Sequence, residues 1–193
     1  MLNSDHLKII INSNSNNNQI ESINPKKNID YNVLILGNFG VGKTTLYNVL
    51  NKINTRYEYK DYILNINFTN TQIQKNSINT IVSAQRYNNI PTKNIDFIYL
   101  CFDINEDYID QLHHWITFIY FKMYKIPFIL IGLKQDLRNN NSVNMEHIID
   151  YSNEKKAVTY IECCFFNKFN IINLIEITRK HREKKMKSFC TFI

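Results

Sequence analysis

The sequence predicts an α/β protein with a doubly wound, mostly parallel, six-stranded sheet flanked by helices, and three observations carry that prediction. Short β-branched and aliphatic runs at 31–36, 97–102 and 128–131 have the continuous apolar character of parallel strands covered on both faces. Between the last two runs, Ile109, Leu112, Ile116, Ile119 and Met123 recur at helical spacing. A glycine-bearing loop joins the first run to a helical segment, which is how an alternating strand and helix architecture begins.

In chain order, residues 1–28 come first. Ser13-Asn14-Ser15-Asn16-Asn17-Asn18 is a polar low-complexity run with too little apolar area to offset its ordering entropy, so a disordered Asn-rich arm is expected. Tyr31-Asn32-Val33-Leu34-Ile35-Leu36 opens the core, and a helix from Lys43 to about Lys52 follows. Tyr62, Leu64, Ile66 and Phe68 alternate with Ile63, Asn65 and Asn67; after Asn70-Thr71-Gln72 a weaker strand ends near Ile78, and the stretch reads as a hairpin. Val158 to Cys163 is the last strand, and Ile171, Leu174, Ile175 and Thr178 open a helix that runs into a basic end. One domain over 29–178 is expected, then a tail over 179–193.

The chain of 193 residues is 44% hydrophobic and 13% aromatic, a balance that supports one folded core. Its net charge of +6 is concentrated at one end. Arg179, Lys180, Arg182, Lys184, Lys185 and Lys187 face Glu183 alone, a net +5, which leaves the domain nearly neutral and argues against nucleic acid as a partner. Four cysteines, with Cys163 and Cys164 adjacent, show neither CxxC spacing nor the density of a disulfide scaffold, so a reducing compartment is expected. Leu7 to Ile11 is too short for a signal-peptide core or a membrane span. His113 and His114 have no Cys or carboxylate at ligand spacing nearby and read as helix-face residues.

Gly37-Asn38-Phe39-Gly40-Val41-Gly42-Lys43-Thr44 matches GxxxxGK[ST] in full, between a strand and a helix as the mechanism requires. Glycines let the loop curl so that backbone N–H groups point at phosphates, and the helix N-terminus adds its positive dipole end. Lys43 reaches the outer phosphates, and the Thr44 hydroxyl, followed by Thr45, is placed to ligate Mg²⁺. This is a P-loop, and it predicts binding of a nucleoside di- or triphosphate.

Downstream, Leu133-Lys134-Gln135-Asp136 after a buried strand resembles the NKxD element of the Ras superfamily of small GTPases, with Leu133 at the Asn position. Trp115, Asp136-Leu137-Arg138 and Tyr160-Ile161-Glu162-Cys163-Cys164-Phe165 add a Rho-like character, with the Rab and Ras branches left open. The resemblance, over residues 30 to 193, implies a small GTPase that binds GTP or GDP with Mg²⁺. It implies Asp136 as acceptor from the guanine N1–H and amino group, Lys134 along the base plane, and backbone donation to guanine O6 at Cys164 and Phe165. It also implies effector proteins and exchange factors as partners.

The switch segments depart from the family. The counterpart of Asp-Thr-Ala-Gly-Gln is placed at Asn79-Thr80-Ile81-Val82-Ser83, without the glycine or the glutamine, and Thr55 is the candidate second Mg²⁺ ligand in a shortened first switch. Phe39 stands where the family has Gly or Ser, crowding the attacking water and any arginine finger. Slow hydrolysis is therefore expected. Cys190-Thr191-Phe192-Ile193 ends the chain as a C-a-a-X box. One prenyl chain on Cys190 plus the basic run supplies the two signals that stable anchoring needs, on the cytoplasmic face of an anionic membrane. The rival readings are a membrane-tethered pseudo-GTPase that has lost nucleotide dependence, and a P-loop kinase, for which the acceptor-site arginines and lid are not in evidence.

Overall fold

The computed structural model describes residues 26–71, 90–165 and 168–190. Six strands, β1 (Lys27–Gly37), β2 (Arg56–Glu58), β3 (Tyr62–Asn70), β4 (Phe97–Asp103), β5 (Phe128–Leu133) and β6 (Tyr160–Cys163), form one sheet in the order β2-β3-β1-β4-β5-β6. All neighbours are parallel except β2 and β3. Four helices complete the described fold: α1 (Lys43–Leu50), α2 (Tyr108–Lys122), α3 (Met145–Glu154) and α4 (Lys168–Cys190).

Strand periodicity divides the core into two layers. On one face Tyr31, Val33 and Ile35 join Phe97, Tyr99 and Cys101 beneath Leu46 and Leu50 of α1 and Ile171, Leu174 and Ile175 of α4. On the other, Leu34 and Leu36 join Ile98, Leu100 and Phe102 beneath Leu112, Trp115, Ile116 and Ile119 of α2 and Ile148 of α3. β4 and β5 are buried along their whole length, as continuous apolar runs require.

The fold class agrees with the sequence, and several details differ. β1 starts at Lys27, so the end of the segment assigned to the arm already pairs with Tyr62 and Ile63. The hairpin is made upstream of where it was expected: β3 pairs antiparallel with Arg56–Glu58, while the strand expected near Ile78 lies outside the described residues. Ile109, counted in the helical stripe, is 49% exposed, because the buried face of α2 begins at Gln111 and Leu112. α3 was not anticipated. Its buried face is only Ile148 and Ser152, too sparse for a periodic signal, although Asn144 caps it by accepting from the N–H groups of Glu146 and His147.

The last helix continues to Cys190, through the segment read as a tail. Its second half is packed against the sheet. His181 lies 3.2 Å from the Tyr31 hydroxyl and 5.0 Å from the Phe97 ring. Arg182 covers Tyr31, Arg179 covers Tyr57, and the Tyr59 hydroxyl donates to Glu183, which also pairs with Arg179. Arg179 and Arg182 are thus engaged with the domain, and Lys180, Lys184, Lys185 and Lys187 are the exposed basic residues of this stretch. Residues 191–193 of the C-a-a-X box lie outside the described residues.

Candidate functional site

β1 is the point where strand order reverses, with β3 on one side and β4 on the other, so a crevice opens beyond its C-terminal end. The 37–42 loop lies in that crevice. Gly37 has φ 141°, and a Cβ there would stand 2.2 Å from the Cys101 carbonyl oxygen, so only glycine lets β1 leave the sheet this close to β4. Gly42, φ 108°, caps α1 without a side-chain hydrogen bond, and no acidic residue sits in the first turn. The helix end therefore keeps its donors and its positive potential for an anion. Phe39 and Gly40 are exposed, whereas Val41 is buried and pins the loop to the core.

Lys43 is buried, and its Nζ donates to the Asn38 carbonyl at 2.6 Å. Burial pushes its pKa below the usual lysine value. Asn38 also accepts from Trp115 Nε1 at 2.9 Å, which braces the loop against α2. Thr44 and Thr45 are exposed on the first turn of α1.

Beside Thr44 stands a residue that the sequence reading missed. Asn70, at the end of β3, donates through Nδ2 to Thr44 Oγ1 at 3.3 Å, and its Oδ1 is buried with no hydrogen-bond partner among the described residues. Thr71 follows, buried, with its N–H and hydroxyl both donating to the Ile35 carbonyl at 3.2 and 2.9 Å. By its place at the end of β3, Asn70-Thr71 stands where the family's Asp-Thr-Ala-Gly-Gln segment would open, and Gln72-Ile73-Gln74 follow in sequence. Threonine and the final glutamine are kept, while Asn and Ile replace Asp and Gly. Asn79-Thr80-Ile81-Val82-Ser83, where the sequence placed that segment, lies outside the described residues, as do 72–74. An orphaned acceptor next to the Thr44 hydroxyl suits a hydrated Mg²⁺, one charge short of the family's aspartate.

Thr55 is not brought to this site. Its carbonyl accepts from the Ile66 N–H, and Ile66 precedes Asn70 by four residues, about 13 Å at strand rise. With only residues 51–55 between α1 and β2, the chain turns straight into the sheet. A cleft lined by Thr44, Tyr47, Asn48, Phe68, Thr69 and Asn70 is left between α1 and β3.

The base-side elements converge on the same sheet edge, since Asp103 pairs with Leu133 and Leu133 with Cys163 in register. Lys134 has φ 63°, a left-handed conformation that costs a non-glycine residue roughly 1 kcal/mol or more. It is held there by an ion pair to buried Asp103 at 2.6 Å and by Asn105 Nδ2 donating to its carbonyl at 3.4 Å. Asp136 is exposed in the short 3-10 turn that follows. Arg138 pairs with buried Glu162, which ties this loop to β6.

Leu133 and Phe165 change how the loops are joined. A Cβ on Gly42 would meet the Phe165 ring at 3.4 Å and Leu133 Cδ1 at 3.5 Å. Leu133 and Phe165 share an apolar cluster with Val41 of the phosphate loop, so the base loop and phosphate loop meet through apolar groups. Cys164 is buried beside this contact. Burial pushes the Cys163 thiol up to about 12, and both adjacent cysteines are buried as core residues.

A glycine loop, a lysine folded over it, a threonine at a metal-binding position and two base-side loops on one sheet edge define a P-loop nucleotide-binding protein. The Ras family model matches residues 32–183, and the chain belongs to that family, whose members bind guanine nucleotide with Mg²⁺ and act as switches through effectors and exchange factors. The chain is 30% identical over 128 residues to Ras-related protein RabP of Dictyostelium discoideum. That match covers 60% of this chain and 53% of RabP, so it spans about half of the relative's length. The relative is Rab-related, which leaves the Rho-like character without support; the Rab and Ras branches remain open.

Proposed function

We propose that this chain is a Mg²⁺-dependent guanine-nucleotide switch with slow intrinsic hydrolysis, lipid-anchored through Cys190 on the cytoplasmic face of a membrane. The observation that carries the reading is the complete phosphate loop with Lys43 folded over it and Thr44 facing Asn70. Mg²⁺ would be held by the Thr44 hydroxyl and, through water, by Asn70. When bound, the metal neutralises charge between the outer phosphates.

The chain's own residues account for the rest. Backbone amides of 38–43 and the α1 N-terminus orient the phosphates, and Lys43 exchanges the Asn38 carbonyl for a phosphate oxygen. Asp136 selects guanine by accepting from its N1–H and amino group, which adenine lacks. Lys134, ion-paired with Asp103, would hold the base along its stem, and the Cys164 and Phe165 N–H groups would donate to guanine O6. Phe39 narrows the approach of water, and Asn70 brings no charge to the metal. These two features support slow turnover.

Effectors and exchange factors are the partners this reading implies, with no role for nucleic acid. The pseudo-GTPase alternative draws on one observation, the replacement of the family's Asn by Leu133 packed on Gly42. Titration with a fluorescent GDP separates the two. Wild type should bind with Mg²⁺, and Lys43→Ala should lose at least about a hundredfold in affinity, as removal of a charge-assisted phosphate contact demands. Wild type that binds no better than Lys43→Ala would place the chain with the alternative. Anchoring is tested separately: Cys190→Ser should release the protein from cellular membranes.

A further inference from the structure

Beyond the lipid anchor, one exposed surface of the domain has no use in the nucleotide reading. At the C-terminal end of α2 and the turn after it, Phe121 is 83% exposed and Tyr124 is 69% exposed. Lys122 and Lys125 are exposed on either side of Tyr124, and Lys125 Nζ lies 5.3 Å from its ring centroid. The C-terminal end of α3 adjoins the patch, since the Tyr120 hydroxyl donates to the Lys155 carbonyl at 2.8 Å. Lys156 is exposed there, and Glu154 at this helix end is paired with Lys155.

Two apolar rings held out in water between lysines, with no acidic residue from Phe118 to Lys125, are not a core that failed to close. Tyr and Phe with basic neighbours are the composition that settles at the boundary of an anionic bilayer, where rings reach below the headgroups and ammonium groups meet phosphate. The position in the fold supports a membrane over a protein partner. The patch lies where the parallel strands begin, because the Ile98 N–H donates to the Pro127 carbonyl and Phe128 opens β5. The second half of α4 reaches the same pole on the opposite face of the sheet, where His181 touches Phe97, the first residue of β4. The exposed Lys184, Lys185 and Lys187 continue from there toward Cys190.

The geometry points to the aromatic and basic patch of Phe121, Lys122, Tyr124 and Lys125 as a second membrane-docking site, which sets the pole of the strand starts against an anionic bilayer. With contacts from both faces of the sheet, the domain is held in one orientation, and the nucleotide crevice at the opposite pole faces away from the lipid.

Cosedimentation of the purified, unlipidated full chain with phosphatidylcholine vesicles, with and without phosphatidylserine, tests this. The expected result is binding that needs phosphatidylserine and falls about tenfold or more in Phe121→Ser/Tyr124→Ser and in Lys122→Glu/Lys125→Glu. Thermal midpoints should be kept, because all four side chains are exposed. Wild-type binding that both variants retain, equal binding without phosphatidylserine, or no vesicle binding by wild type overturns the proposal, the last outcome leaving the surface to a protein partner. None of these results bears on Cys190, since the chain tested carries no lipid.

Discussion

In the proposed function Phe39 and Asn70 would flank the phosphates, and each can be changed without touching the core. Phe39 is 46% exposed, so Phe39→Gly should leave the fold intact and raise the single-turnover hydrolysis rate by about tenfold or more, by opening the path for water. Asn70→Asp restores a charge opposite Thr44 and should slow nucleotide release in Mg²⁺ by about tenfold, an effect that disappears in EDTA. The phosphate loop was legible in the sequence because its whole mechanism lies in eight consecutive residues. Asn70 was not, because what defines it is a long-range register: it faces Ile35, two residues before Gly37, and only the pairing of β3 with β1 reveals that. The same blindness placed Thr55 near the metal, since counting residues cannot show that the chain has already turned into β2.

Among the elements, α4 departs furthest from what composition suggests. A run of six basic residues reads as a polybasic tail for a membrane surface, yet two of them, Arg179 and Arg182, are laid over tyrosine rings by the period of the helix. Deleting residues 179–193 should uncover Tyr31 and Phe97 and lower stability by at least about 3 kcal/mol, measured by urea unfolding. His181 adds a pH dependence of known sign. Burial, with Lys185 and Lys184 nearby, holds its pKa below the ordinary 6.5, so the unfolded chain binds the proton more readily. Its contribution is complete above about pH 6.5 and is lost as the pH falls toward the folded pKa. His181→Gln should flatten this part of the decline in thermal midpoint between pH 7.5 and 5.5. The strands β4 and β5 needed no such tertiary knowledge, because burial on both faces writes itself as an unbroken apolar run.

At the scale of the whole molecule, the proposed site rests on three loops held at the C-terminal ends of the strands by different means: Asn38 to Trp115, Lys134 to Asp103, and Phe165 with Leu133 beside Gly42. The first two are polar and the third is apolar, so the site keeps its geometry although the NKxD asparagine is gone. A ligand that bridges these loops binds the folded chain alone. GDP at a hundredfold excess over its Kd should therefore add about 2.7 kcal/mol, a rise of several degrees in thermal midpoint that Lys43→Ala abolishes. The most direct test of the central claim is to denature freshly purified full-length protein and identify by chromatography the nucleotide it releases. A slow switch predicts guanine nucleotide at close to one per chain, mostly GTP. GDP alone would keep the site and contradict slow hydrolysis, and a chain that carries no nucleotide and takes up none from GTP and Mg²⁺ would contradict the switch itself.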